Sequence, residues 1–196
     1  VLHHGTVTMR QQPALAATRR AAAIAREANV LVSVDVNLRY KMYSDRETLL
    51  ERAREAIAVA NVVKTAREEA VALVGAGSTR DLCERLLELG GDLIMLTDGD
   101  QPFYLATQQQ VVEGQPPVVS VVDTTGAGDA FTGAALAWLC RSQIAPNALR
   151  ELSAKQLDEL GRDAARAGAH ATTALGAVAA FSDEVQLENR AVQGQP

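Results

Sequence analysis

Apolar residues follow two rhythms along this chain, and the two alternate. Short apolar runs rich in β-branched residues cover Val1 to Thr6, Val30 to Val34, Asn61 to Lys64, Asp92 to Thr97 and Val118 to Val122. Between them apolar positions recur every three or four residues, the spacing of one helix face, whereas the short runs read as strands. Pro13 opens a predicted helix through Leu15 and Ile24 to about Ala28, since proline suits a first turn whose N–H lacks a partner anyway. Asp45 precedes a helix from Arg46 to Ala60, with Leu49, Leu50, Ala53, Ile57 and Ala60 on one face. A helix over Glu68 to Val74 stops at Gly75, and another, capped by Ser78, stops at Gly90-Gly91. Two more are expected from Asp129 to Cys140 and from Ser153 to Ala174, with a hairpin of Phe103 to Ala106 and Gln110 to Val112.

Strands alternating with helices predict an α/β fold, a mainly parallel central sheet covered by helices on both faces. One domain is expected over residues 1–181, followed by a polar tail, Ser182 to Pro196, that frays. In such sheets ligands lie beyond the carboxyl ends of the strands, so the residues placed there decide the function.

The composition, 47% hydrophobic and 22% charged over 196 residues, is that of an ordinary globular chain with one sizeable core. A net charge of -5 without a basic patch argues against a nucleic-acid partner. No apolar run approaches the roughly 20 residues of a membrane span, and no signal peptide is visible, so a cytoplasmic chain without a membrane partner is expected. Cys83 and Cys140 stand in helical patterns beside leucines and read as reduced core or near-core thiols. His3, His4 and His170 have no partner at ligand spacing and read as structural.

One stretch organises the chemistry. After Val118 to Val122 the chain passes through Asp123-Thr124-Thr125-Gly126-Ala127-Gly128-Asp129 into a helix. Glycines at such a turn let several N–H groups converge where the helix dipole also favours negative charge, which suits a phosphate. The spacing is neither that of the P-loop nor Gly-x-Gly-x-x-Gly in a βαβ unit, which disfavours a dinucleotide-dependent oxidoreductase. Asp129, beside this anion hole, would repel phosphate unless it has a task, such as taking a proton from an attacking hydroxyl. Read alone, it is equally a first-turn acid that favours a helix N-terminus.

Three other strand ends are polar. Asp35-x-Asn37-x-Arg39 alternates after its strand, placing three polar side chains on one side; a solvated turn explains the triplet as well. Lys64 is followed by Ala66-Arg67-Glu68-Glu69, which is either a site or a solvated helix face. Thr97-Asp98-Gly99-Asp100-Gln101-Pro102 reads as a β-turn on its own terms.

The string Asp-Thr-Thr-Gly-Ala-Gly-Asp-Ala-Phe at positions 123–131 resembles the C-terminal signature of the ribokinase-like (PfkB-type) carbohydrate kinases. Asp35-x-Asn37-x-Arg39 is similar to the pattern of the fructokinase and 2-keto-3-deoxygluconate kinase branch. The resemblance implies a three-layer α/β/α Rossmann-like fold and ATP-dependent phosphorylation of a sugar, fructose first and 2-keto-3-deoxygluconate second. It implies Asp129 as catalytic base and Gly126, Ala127 and Gly128 as anion hole. Asp35, Asn37, Arg39 and Asp129 would face the sugar, and Lys64, Thr97, Gly99 and Gly128 the nucleotide. Glu69 would act on Mg2+ through water. Asp123 and Thr125, with carbonyls around Ala171, Ala174 and Gly176, would form a monovalent-cation loop suited to K+. Ala66, Ala165 and Pro102 depart from the family pattern, which has asparagine at the first two places and glycine at the third. The resemblance covers only the C-terminal two-thirds or so of a typical member. The first signature, much of the sugar contact and the lid are therefore expected outside this chain, together with any homodimer contact made through the lid. A non-catalytic nucleotide- or sugar-binding paralogue, or an inactive fragment, is the competing expectation.

Overall fold

In the computed structural model, which describes residues 1–181, four parallel strands form one side of a six-stranded sheet and its centre: β1 (Leu2–Gly5), β2 (Val32–Asp35), β3 (Val62–Ala66) and β4 (Leu93–Thr97). β5 (Phe103–Ala106) and β6 (Val111–Gly114) extend it as an antiparallel hairpin, in the order β1-β2-β3-β4-β5-β6. The helices are α1 (Ala14–Glu27), α2 (Arg46–Val59), α3 (Arg67–Val74), α4 (Thr79–Leu89), α5 (Ala127–Arg141) and α6 (Ala154–Ala171). Short 3-10 turns at Thr6–Met9, Tyr40–Met42 and Pro146–Glu151 were not foreseen from the sequence. The polar tail expected over 182–196 lies outside the described residues.

Strand neighbours follow chain order from β1 to β4, so connections of one hand place α1 to α4 on the same face of the sheet. Side chains alternate across each strand, which splits the core in two. Val34, Val63, Ile94 and Leu96 pack with Leu49, Ile57, Leu82 and Leu86 from that helical layer. Val62, Leu93, Met95 and Leu105 pack with Phe131, Leu139, Leu157 and Leu160 from α5 and α6. Each fully buried leucine or isoleucine contributes on the order of 2 kcal/mol. The three-layer α/β/α arrangement expected from the sequence is therefore present.

Two expectations fail. Val118 to Val122 is no strand: Val118, Val121 and Val122 are exposed. β6 already forms the edge of the sheet, and from Val118 to Asp123 only the amides of Val122 and Asp123 find a main-chain acceptor among the described residues, both at the Thr172 carbonyl. The apolar run lacks a ladder to join. Cys140, read as a near-core thiol, is exposed, because Leu139 beside it takes the inward position on α5. Cys83 is buried as expected, and burial pushes its thiol up to about 12. A thiol reagent should accordingly modify Cys140 in the native protein and reach Cys83 only on unfolding, a difference visible by mass spectrometry with and without denaturant.

Candidate active site

The carboxyl ends of β2, β3 and β4 lie side by side, with Asp35 opposite Lys64 and Ala66 opposite Thr97 in the ladder. This register joins residues far apart in sequence. Lys64 Nζ lies 3.4 and 3.3 Å from the two carboxylate oxygens of Asp35, and both side chains are almost wholly buried. Burial raises the Asp35 carboxyl above its ordinary range; Lys64 opposes the shift, while the charges of Glu69 and Asp129 reinforce it. Two further carboxylates, Glu69 and Asp129, thus lie close enough to Asp35 for their charges to be felt there, against the one ammonium of Lys64.

The anion turn is the first turn of α5. Gly126 is its N-cap at φ +84, and a Cβ there would also meet the main chain of Ala177 at 2.9 Å. Glycine is therefore required twice over at this position. Ala127, named in the expected anion hole, spends its amide on the Thr124 carbonyl at 3.3 Å. The amides of Gly126, Gly128 and Asp129 donate to no acceptor among the described residues. Two of the expected trio, Gly126 and Gly128, thus present unpaired amides among the described residues, and the amide of Asp129 joins them. A Cβ on Gly128 would come within 2.7 Å of Lys64 Nζ, so the bare backbone is what lets the ammonium lie over the turn. Asp129 is exposed in the first turn, close enough to Asp35 for its charge to be felt there.

Behind the turn, Asp123 Oδ1 accepts from the Thr125 amide and hydroxyl, and Oδ2 accepts from the Gly176 amide at 2.8 Å. These donors hold the Asp123 carboxyl below its usual range. The Thr172 carbonyl takes the amides of Val122 and Asp123, so the end of α6 and the start of α5 are sewn together. Ala171 is buried, Ala174 is half-buried, and Gly176 takes φ +87.

Glu69, on the first turn of α3, is buried with Oε2 accepting from the Ala66 amide at 2.9 Å and Oε1 from the Leu38 amide at 2.6 Å. Ala66 occupies the N-cap position but has no side-chain acceptor to return the bond. Ala66→Asn should supply it and raise the unfolding free energy by about 1 kcal/mol, measurable by urea titration. Thr97 ends β4 and Gly99 turns at φ +60; Asp98 is drawn to Arg67 at 3.9 Å and Asp100 accepts from the Gln101 side chain. Asn37 is half-buried, whereas Arg39 is exposed beyond the strand end and is not drawn into the Asp35–Lys64 cluster. Ala165 is buried on α6.

Two features were missed from the sequence: the ion pair between Asp35 and Lys64, and Thr6, buried beyond β1 with its hydroxyl donating to the Asn37 carbonyl. The first depends on sheet register. For the second a single sequence carries no signal. A cavity of about 400 Å3, lined by His4, Met9, Arg19, Ala22 and Val59 among others, lies between α1 and α2 on the other face of the sheet and contains none of the candidate residues. Among the described residues the His4 ring has no hydrogen-bond partner there, His3 meets the Ser33 hydroxyl, and His170 meets the Ala180 carbonyl, roles consistent with packing.

The nest of free amides at a helix start, flanked by Asp129, and the doubly covered sheet place this chain in a known class. It belongs to the pfkB family of carbohydrate kinases, whose pattern matches residues 1–184. It is 34% identical to the aminoimidazole riboside kinase of Salmonella typhimurium over 185 residues, 94% of this chain and 56% of that protein. It is 32% identical to a fructokinase of Vibrio alginolyticus over 188 residues, 95% of this chain and 59% of that one. A fructokinase double mutant from Vibrio cholerae O395, solved with fructose, ADP and potassium ion bound, superposes with a TM-score of 0.83 at 28% identity, covering 95% of this chain and 59% of its own. The chain thus spans somewhat more than half the length of these relatives. Among the described residues no helix is long and apolar enough to cross a membrane.

Proposed function

We propose that the complete protein transfers the γ-phosphoryl group of ATP to a sugar hydroxyl, with fructose as the first substrate and 2-keto-3-deoxygluconate as the next. The observation that carries this reading is the meeting of the free amides at Gly126, Gly128 and Asp129 with the Lys64 ammonium and the exposed Asp129 carboxylate. In the reaction the sugar oxygen bonds to the γ-phosphorus, the bond to the ADP oxygen breaks, and Asp129 receives the hydroxyl proton. The amides and Lys64 meet the charge that spreads over the transferring oxygens. Asp35, Asn37 and Arg39 form the sugar side, while Thr97 and Gly99 flank the nucleotide.

The acidic surplus of Asp35, Glu69 and Asp129 over Lys64 suits a divalent cation, and no group of three metal-ligating side chains occurs among the described residues. These residues fit Mg2+ held by phosphate oxygens and water, with Glu69 acting through water. When bound, Mg2+ would neutralise phosphate charge. The negative Asp123, braced by Thr125 and Gly176, suits a monovalent cation completed by carbonyls around Ala171 and Ala174. Fructokinase relatives support the fructose assignment, and the similarity to an aminoimidazole riboside kinase makes that riboside a second acceptor to test.

The test is a coupled ADP-release assay on the complete gene product, with ATP, Mg2+ and a panel of fructose, aminoimidazole riboside and 2-keto-3-deoxygluconate. Turnover with a panel sugar, dependent on Asp129, supports the reading. Nucleotide or sugar binding without turnover establishes the non-catalytic alternative.

A further inference from the structure

Asn37 adopts φ +37, a left-handed conformation that non-glycine residues rarely take and that asparagine tolerates best. Such a conformation persists only where its surroundings hold it. The peptide that follows is held at both ends. The Asn37 carbonyl accepts from the Thr6 hydroxyl at 3.1 Å, and the amide on the other side of the same bond, Leu38 N–H, donates to Glu69 Oε1 at 2.6 Å. One residue upstream, Val36 N–H donates to the Lys64 carbonyl at 2.9 Å, and Leu38 is buried. Glu69 is buried too, and its other oxygen is already taken by the Ala66 amide.

From this we infer that Glu69 and Thr6 are positioning residues for the sugar edge. Together they clamp the Asn37–Leu38 peptide so that Asp35, Asn37 and Arg39 leave β2 in a single fixed path. The inference rests on the sugar-kinase reading for the identity of the ligand, but not for the existence of the clamp. Both Glu69 oxygens bind main-chain amides. Its direct action is on the loop. A carboxylate satisfies both amides at once, whereas a glutamine must turn an NH2 group toward one of them.

The test uses the complete protein with Glu69→Gln and, separately, Thr6→Val, which removes the second tie without approaching the nucleotide side. Amide exchange should show the Leu38 amide exchanging at least tenfold faster in Glu69→Gln. Calorimetry without nucleotide or metal should show the sugar binding about tenfold more weakly in both variants. In steady state the sugar KM should rise in both, while in Thr6→Val the ATP KM and the Mg2+ concentration for half-maximal rate stay put. A shifted Mg2+ requirement with an unchanged sugar KM in Glu69→Gln overturns the inference, as does unchanged exchange at Leu38. Wild-type protein that binds no panel sugar sinks the kinase reading instead, while the exchange measurement still decides whether the clamp exists.

Discussion

Asp129→Asn should lower kcat by two to four orders of magnitude and leave the KM values for sugar and ATP within a few-fold, because the amide keeps the shape and loses the proton acceptor. Stability should hardly move. Asp129 is exposed in the first turn of α5, where loss of a favourable helix-dipole interaction costs about 0.5 kcal/mol, and its removal also relieves Asp35 of a neighbouring negative charge. Circular dichroism and urea unfolding on the same preparations separate the two effects. A variant that turns over at the wild-type rate removes Asp129 from the chemistry.

The second large effect is on Lys64. Lys64→Met leaves the buried Asp35 carboxylate facing Glu69 and Asp129 without its counter-ion, a loss on the order of 3 kcal/mol at neutral pH. The pH dependence has a definite sign. Asp35 already has a raised folded-state affinity for its proton, chiefly from burial, and removing the ammonium raises it further. An acid raised in this way is penalised once it ionises, so stability is retained below the unfolded carboxyl's pKa, about 3.9, and lost as pH rises through the higher folded value. The gap between wild type and Lys64→Met in urea unfolding should therefore be widest near pH 8 and narrow toward pH 4. The same variant should weaken ATP binding, since an ammonium over the anion turn is lost.

How far each feature could be read from the sequence follows from the range of the interaction behind it. The strand-to-helix turn at 123–129 was legible because its cause is local: glycine angles, helix-start amides and an acid in the first turn act within seven residues. Helices α2 and α4 were legible for the same reason, with Asp45 and Ser78 accepting from Thr48 and Asp81 as a cap should. Val118 to Val122 was misread because β-branched character records what a strand needs on its faces and says nothing about whether an edge is free to pair. Cys140 was misplaced by one position, the margin that separates an inward from an outward side chain on a helix. The Asp35–Lys64 pair and the Glu69–Leu38 contact, spanning 29 and 31 residues, come into being only when β2 and β3 find their register.

The approach of Lys64 to Gly128 makes one atom of carbon electrically significant. A methyl group at position 128 carries no charge, yet it would occupy the space within 2.7 Å of the ammonium and drive that cation off the turn. Gly128→Ala would consequently draw the ammonium back from the turn, so that a substitution adding only hydrocarbon weakens the hold on an anion there.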